Sequence, residues 1–161
     1  MAIKNKVEIV PLTCINPTQG LEICPLDTDK YLEKLEANLP LFAHETTMVR
    51  IESGTIEELF VHHFQTDQLL VVKGSAVLVV LQNKHYQYIL MSESKPMVVR
   101  IPPGIPHSAI NLSGEPCIAI NSIIRHGPPF ERDYRPLRKP FPFDLGLVRA
   151  MLGELNCPIM R

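Results

Sequence analysis

Between residues 47 and 123 the chain alternates short apolar runs with turn residues. The runs cover 47–51, 59–63, 69–72, 76–81, 86–91, 97–101, 107–112 and 117–123. Breaks fall at Ser53-Gly54, Gln65-Thr66, Lys73-Gly74, Asn83-Lys84, Ser94-Lys95-Pro96, Pro102 to Pro106 and Ser113-Gly114. Eight short strands punctuated this closely predict an all-β sandwich or barrel, not a βαβ sheet. Two segments outside this region have a helical period instead. Leu26, Tyr31, Leu32, Leu35 and Leu39 recur on one face, with Asp27, Thr28 or Asp29 available as a cap and Pro40 as a stop, which predicts a helix at about 29–38. Leu145, Val148, Met151, Leu152 and Leu155 share a face behind Asp144, which predicts a second helix at about 145–155. Residues 1–26 read as irregular and 125–144 as a Pro-rich charged connection. No repeat is present, so one domain spans 1–161, with its barrel at about 46–124.

Composition narrows the function classes. A chain of 161 residues with 45% hydrophobic and 20% charged content is that of an ordinary globular domain, and fifteen prolines favour turns over long helices. The net charge of -1 gives no basic field for nucleic acid or a membrane surface. The apolar stretch 69–81 is interrupted by Lys73, Gly74 and Ser75 and is too short to cross a bilayer. No long apolar run follows Met1, and Cys14, Cys24, Cys117 and Cys157 have neither Cys-x-x-Cys nor zinc-finger spacing. A Cys14–Cys24 disulfide is one reading of the two N-terminal thiols. A reduced, cytoplasmic protein is the expectation.

The residues best placed for chemistry lie in two segments. In Pro102-Pro103-Gly104-Ile105-Pro106-His107, proline fixes φ and glycine permits φ > 0, so His107 leaves a sharp turn in a defined direction. A histidine held this way can ligate a metal, carry a proton or hook a ligand. The second segment holds His62, His63, Asp67 and Gln68. Strand alternation puts Val61, His63, Gln65 and Asp67 on one face and His62 on the other, unless a bulge re-aims one of them. The expected interior set is therefore His63, Asp67 and His107, with His62 and Gln68 as secondary ligands. Two imidazoles and a carboxylate suit iron, manganese, nickel or zinc with positions left open. Hydrogen-bonded core histidines and a plain turn at Thr66-Asp67-Gln68 are the structural alternative.

Pro102, Gly104, His107 and Asn111 match the second motif of the cupin superfamily, Pro-x-Gly-x2-His-x3-Asn, at every position. Counting back from Gly74 puts Asp67 at the glutamate of the first motif and His63 at its second histidine. Val61 falls at the first histidine, and Gly54 is one residue out of place. The resemblance implies a cupin-type double-stranded β-helix, a jelly-roll barrel. Within that superfamily the run His63-Phe64-Gln65, with Gly74 and Ile101-Pro102-Pro103-Gly104, resembles the dTDP-sugar 3,5-epimerases and related ketoisomerases, the RmlC-like group. That resemblance implies His63 as general base, His107 beside it, and no metal requirement. The group's lysine position holds Asp67, and Arg125-His126 stands where its tyrosine acid is expected; Tyr86, Tyr88 and Tyr134 are the substitutes available. Homodimers are expected by analogy with other cupins.

Three functional readings follow. One is a metal-assisted, dioxygenase-like enzyme on a small organic substrate. Another is a metal-free sugar-nucleotide epimerase or isomerase with His63 and His107 catalytic. The third is a non-catalytic ligand-binding or sensor barrel. Arg125, Arg132, Arg135, Arg138 and Lys139 either face a nucleotide diphosphate or form a solvated loop.

Overall fold

The computed structural model describes residues 6–12, 15–19, 21–23, 45–127 and 135–155. The helix expected at 29–38, together with Cys14, Cys24, Cys157, Arg132 and Tyr134, lies outside these residues. The strands are β1 (Glu8–Pro11), β2 (Ile15–Thr18), β3 (Leu21–Ile23), β4 (Glu45–Ile51), β5 (Thr55–Ile56), β6 (Leu59–Val61), β7 (Gln65–Lys73), β8 (Ser75–Gln82), β9 (His85–Ser92), β10 (Met97–Ile101), β11 (His107–Asn111), β12 (Cys117–Arg125) and β13 (Arg135–Leu137). One helix follows, α1 (Leu145–Glu154). Among the described residues no helix is long and apolar enough to cross a membrane.

Two antiparallel sheets face each other in a jelly roll. The first has the order β1-β10-β7-β12-β4, and the second β13-β6-β11-β8-β9 with β5 added to β11; β2 and β3 form a separate hairpin. The non-sequential order is what interleaves the two halves of the chain. β11 pairs with both β6 and β8, which brings His107 beside Phe60 and Val80. β8 is buried on both faces, which explains its continuous apolar run. Ala76, Leu78 and Val80 point into the barrel with Val71, Val99 and Ile101, whereas Val77 and Val79 pack outward against Phe143, Val148 and Leu152. α1 therefore closes the outside of the second sheet. Asp144 caps it by accepting from the Leu147 N–H at 2.9 Å.

Two segments read as irregular are strands. β1 pairs with β10 and β13 with β6, so tertiary pairing overrides a Pro-rich sequence at two sheet edges, where a missing N–H costs least. Gly74, between β7 and β8, has φ +74°, and a Cβ there would meet the Pro116 carbonyl oxygen at 2.7 Å. Asn111 is fully buried: its amide donates to the carbonyls of Ile51 and Glu115, both at 2.9 Å, and accepts from Ser113.

Candidate functional site

β7 supplies the carboxylate. Its alternation sends Asp67, Leu69 and Val71 inward, while Gln68 bonds the Ser122 carbonyl and Arg100. The turn before β11 supplies the first imidazole. Gly104 has φ +79°, its N–H donates to the His62 carbonyl at 2.6 Å, and His107 follows with its ring turned inward. This bond joins the two segments that carry the site.

His62 supplies the second imidazole, contrary to the expectation for His63. The ladder stops at Val61 and resumes at Gln65, and the alternation shifts by one across the gap: Phe60 and His62 face the cavity before it, Asp67, Leu69 and Val71 after it. His62 turns into the barrel, and His63 and Phe64 are exposed. His62 Nε2 lies 3.8 Å and His107 Nε2 3.5 Å from Asp67 Oδ2. The Phe60 ring packs edge-on against both imidazoles, at centroid distances of 5.3 Å and 4.3 Å.

The remaining polar atoms of Asp67 and His107 are committed to hydrogen bonds. Asp67 is 2% exposed, and its Oδ1 accepts from the side-chain amides of Gln65 at 2.6 Å and Asn121 at 2.9 Å. Gln65 in turn accepts from Arg125 at 2.6 Å, and Arg125 also reaches Glu45. His107 Nδ1 lies 2.9 Å from the Ile105 carbonyl oxygen. That oxygen only accepts, so Nδ1 carries the hydrogen and Nε2 of the neutral ring presents a lone pair. Burial pushes the His107 pKa below the usual value, partly opposed by the Ile105 hydrogen bond and the Asp67 charge, while His62 adds a smaller lowering effect.

These groups line a cavity of about 260 Å³ inside the barrel. Cross-strand register orders its walls. Leu69 lies beside Asn121, Val71 beside Ala119, and Val49 beside Ala119 on the far strand. The polar cluster is thus at one end, with apolar walls leading away from it.

No family model and no curated protein matches the sequence. Similar solved structures are found. NovW, a 4-keto-6-deoxy sugar epimerase from the novobiocin cluster of Streptomyces spheroides, superposes with a TM-score of 0.68 at 14% identity, over 85% of this chain and 71% of that one. A dTDP-4-dehydrorhamnose 3,5-epimerase from Sulfolobus tokodaii gives 0.66 at 16% identity, over 84% and 81%. A mutant of the 3,4-ketoisomerase QdtA from Thermoanaerobacterium thermosaccharolyticum, in complex with TDP-4-keto-6-deoxyglucose, gives 0.62 at 11% identity, over 99% and 100%. The fold is that of an RmlC-like cupin.

In this barrel the site brings together His62, Asp67 and His107. It leaves out His63, which is exposed, and Gln68, which turns away because it neighbours Asp67 on a regular strand. Asp67 is in a strand, not a turn. Tyr86 and Tyr88 are no acid for this site: Tyr86 donates to the Phe141 carbonyl and Tyr88 accepts from the Asp144 N–H, so both hold the tail on the outer sheet face. Of the basic residues, Arg125 serves the Gln65–Asp67 chain, and Lys139 pairs with Glu58 at 3.5 Å and covers the Phe143 ring. Sequence reasoning missed Asn121, Phe60 and Arg125 as supports of the site. Gln65, within the His-Phe-Gln triplet, was the one visible signal of that support.

Proposed function

We propose that this cupin is an enzyme that moves a proton at a carbon beside a carbonyl of a small organic substrate, the chemistry of an epimerase or ketoisomerase. One observation carries the reading: a buried imidazole, with one nitrogen bonded to Ile105, presents its other nitrogen to the cavity beside a carboxylate. The similar structures support it, since epimerising or isomerising a keto sugar requires proton transfer next to the ketone. His107 Nε2 takes the proton as the C–H bond breaks, and the electron pair moves into the carbonyl to give an enolate. Asp67 stabilises the imidazolium that forms. His62, on the other side of the same carboxylate oxygen, donates to the enolate oxygen. In epimerisation a proton from solvent reaches the opposite face and His107 releases its own to solvent. In isomerisation the substrate carries an α-hydroxyl, whose proton passes to the former carbonyl oxygen while His107 protonates the former carbonyl carbon. The base role expected for His63 thus passes to His107, with His62 as its partner.

The test is solvent deuterium incorporation into a panel of ketones that includes TDP-4-keto-6-deoxyglucose, followed by NMR. Exchange should occur and fall at least a hundredfold in His107→Gln. Absence of exchange across the panel, or exchange indifferent to that substitution, refutes the reading.

The convergence of three donor atoms favours a second reading. His62, Asp67 and His107 offer ligand atoms within 4.8 Å of one another. The residues fit a first-row divalent metal: the lone pairs of His107 Nε2 and Asp67 Oδ2 oppose each other at 3.5 Å, and a cation between them turns repulsion into attraction. Bound there, a metal supplies Lewis acidity to a substrate carbonyl. Elemental analysis after mild purification separates the readings, because stoichiometric metal lost in Asp67→Asn supports the second.

A homodimer is also proposed. Cross-strand partners Val10, Val98, Leu70, Ile120 and Met48 form an apolar row on the outer face of the first sheet, ending at Met48, which is 69% exposed. Light scattering of wild type and Met48→Glu tests it: a dimer should become monomeric.

A further inference from the structure

We infer that the substrate of this site has an apolar body below its reacting carbonyl, a short alkyl chain or a single aromatic ring, and is not a sugar buried in the barrel. The inference rests on the proton-transfer reading for the carbonyl head, and on the cavity walls for the rest.

Below the cluster the cavity is walled by Leu69, Val71, Ala76, Leu78, Met91 and Ala119. None has a polar side-chain atom, and the backbone around them is paired in sheet ladders. Two further polar residues of the lining already make hydrogen bonds. Asn121 donates to Asp67 and accepts from the Gln68 N–H at 3.0 Å, and Glu57 accepts from the Ala109 N–H at 3.2 Å. No lysine or arginine lines the cavity among the described residues. Cys117 is buried in the adjoining core, and burial pushes its thiol up to about 11, so it offers no thiolate.

Among the described residues, a sugar ring set between Leu69, Val71, Ala76, Leu78, Met91 and Ala119 would bury hydroxyls without side-chain partners. Each costs roughly 5- to 150-fold in affinity. An apolar body meets no such penalty. A dry cavity of about 150 Å³ takes benzene, so by proportion the 260 Å³ found here holds about ten heavy atoms. The complementary ligand is a ketone of that size, with its carbonyl at His62, Asp67 and His107 and its chain or ring among Val71, Met91 and Ala119.

The probes are 2-nonanone and 4-phenyl-2-butanone, titrated into the full chain and followed by amide and methyl NMR, with TDP-4-keto-6-deoxyglucose in parallel. Both ketones should saturate, shift Ala119 and Met91, and bind at least tenfold more weakly to Ala119→Leu. Ala76→Val, a smaller intrusion, keeps the test valid if the leucine variant does not fold. Failure of both ketones to saturate, or saturation unaffected by either substitution, overturns the inference. Binding is read without turnover, so the two proposals fail separately. Ketones that bind but exchange no deuterium leave the apolar class standing and remove the chemistry. Exchange on the nucleotide sugar without ketone binding removes the apolar class alone.

Discussion

Asp67→Asn isolates the charge of the site from its architecture. Oδ1 accepts from Gln65 and Asn121, and an asparagine oxygen keeps both bonds. The new amide nitrogen replaces Oδ2 and points at His107 Nε2, which has a lone pair to receive it. Folding stability should therefore change by less than about 1 kcal/mol. Catalysis should not be spared. A unit charge 3.5 Å from the imidazolium contributes about 5 kcal/mol at an effective dielectric of 20. Sharing that charge with Oδ1 reduces the figure to about 3–4 kcal/mol, or roughly a 10²- to 10³-fold loss in exchange rate. The assay is deuterium exchange under single-turnover conditions, with urea unfolding alongside. A variant that keeps more than a tenth of wild-type exchange refutes Asp67 as the group that stabilises the charged ring. A variant that unfolds at much lower urea refutes the claim that its hydrogen bonds are retained.

Three further outcomes follow from the geometry. His62→Ala should lower exchange by at least tenfold while His63→Ala leaves it within twofold, and the reverse order would return the interior position to His63. Gly74→Ala should cost about 1–3 kcal/mol in urea unfolding, from positive φ and the close Pro116 carbonyl; a loss below 0.5 kcal/mol would contradict the turn as described. His107 has a folded-state pKa below its unfolded value, so the unfolded chain binds the extra proton first. Stability should fall as pH drops below about 6.5, by at most about 1.4 kcal/mol per unit, and His107→Gln should flatten that slope in pH-dependent melts. An unchanged slope would show that His107 titrates normally.

The parts legible in sequence were those set by local rules. Strand runs, the Pro-Gly turn and the Asp144 cap depend on nearby residues, and each could be read from a few consecutive positions. The inward histidine could not. Alternation from Val61 to Asp67 assumes an unbroken strand, and it instead shifts by one between His62 and Asp67, where the ladder is interrupted and Gly104 binds the His62 carbonyl. That partner is 42 residues away in sequence. β1 and β13 were hidden for the same reason, since their pairing is with strands distant in the chain. The Arg125–Gln65–Asp67 chain was also out of reach, because only the β7–β12 register brings its ends together.

The pairing of β13 with β6 also sets a schedule. β6 delivers His62, and its outer neighbour is the strand Arg135–Leu137, close to the C-terminal helix. A chain emerging from the ribosome has Asp67 and His107 in hand well before that border is available. The loop to be closed is long, so this contact forms late and at an entropic cost. The strand that carries His62 therefore gains its outer neighbour only once the tail is present, and changes at Arg135–Leu137 should register at that end of the barrel.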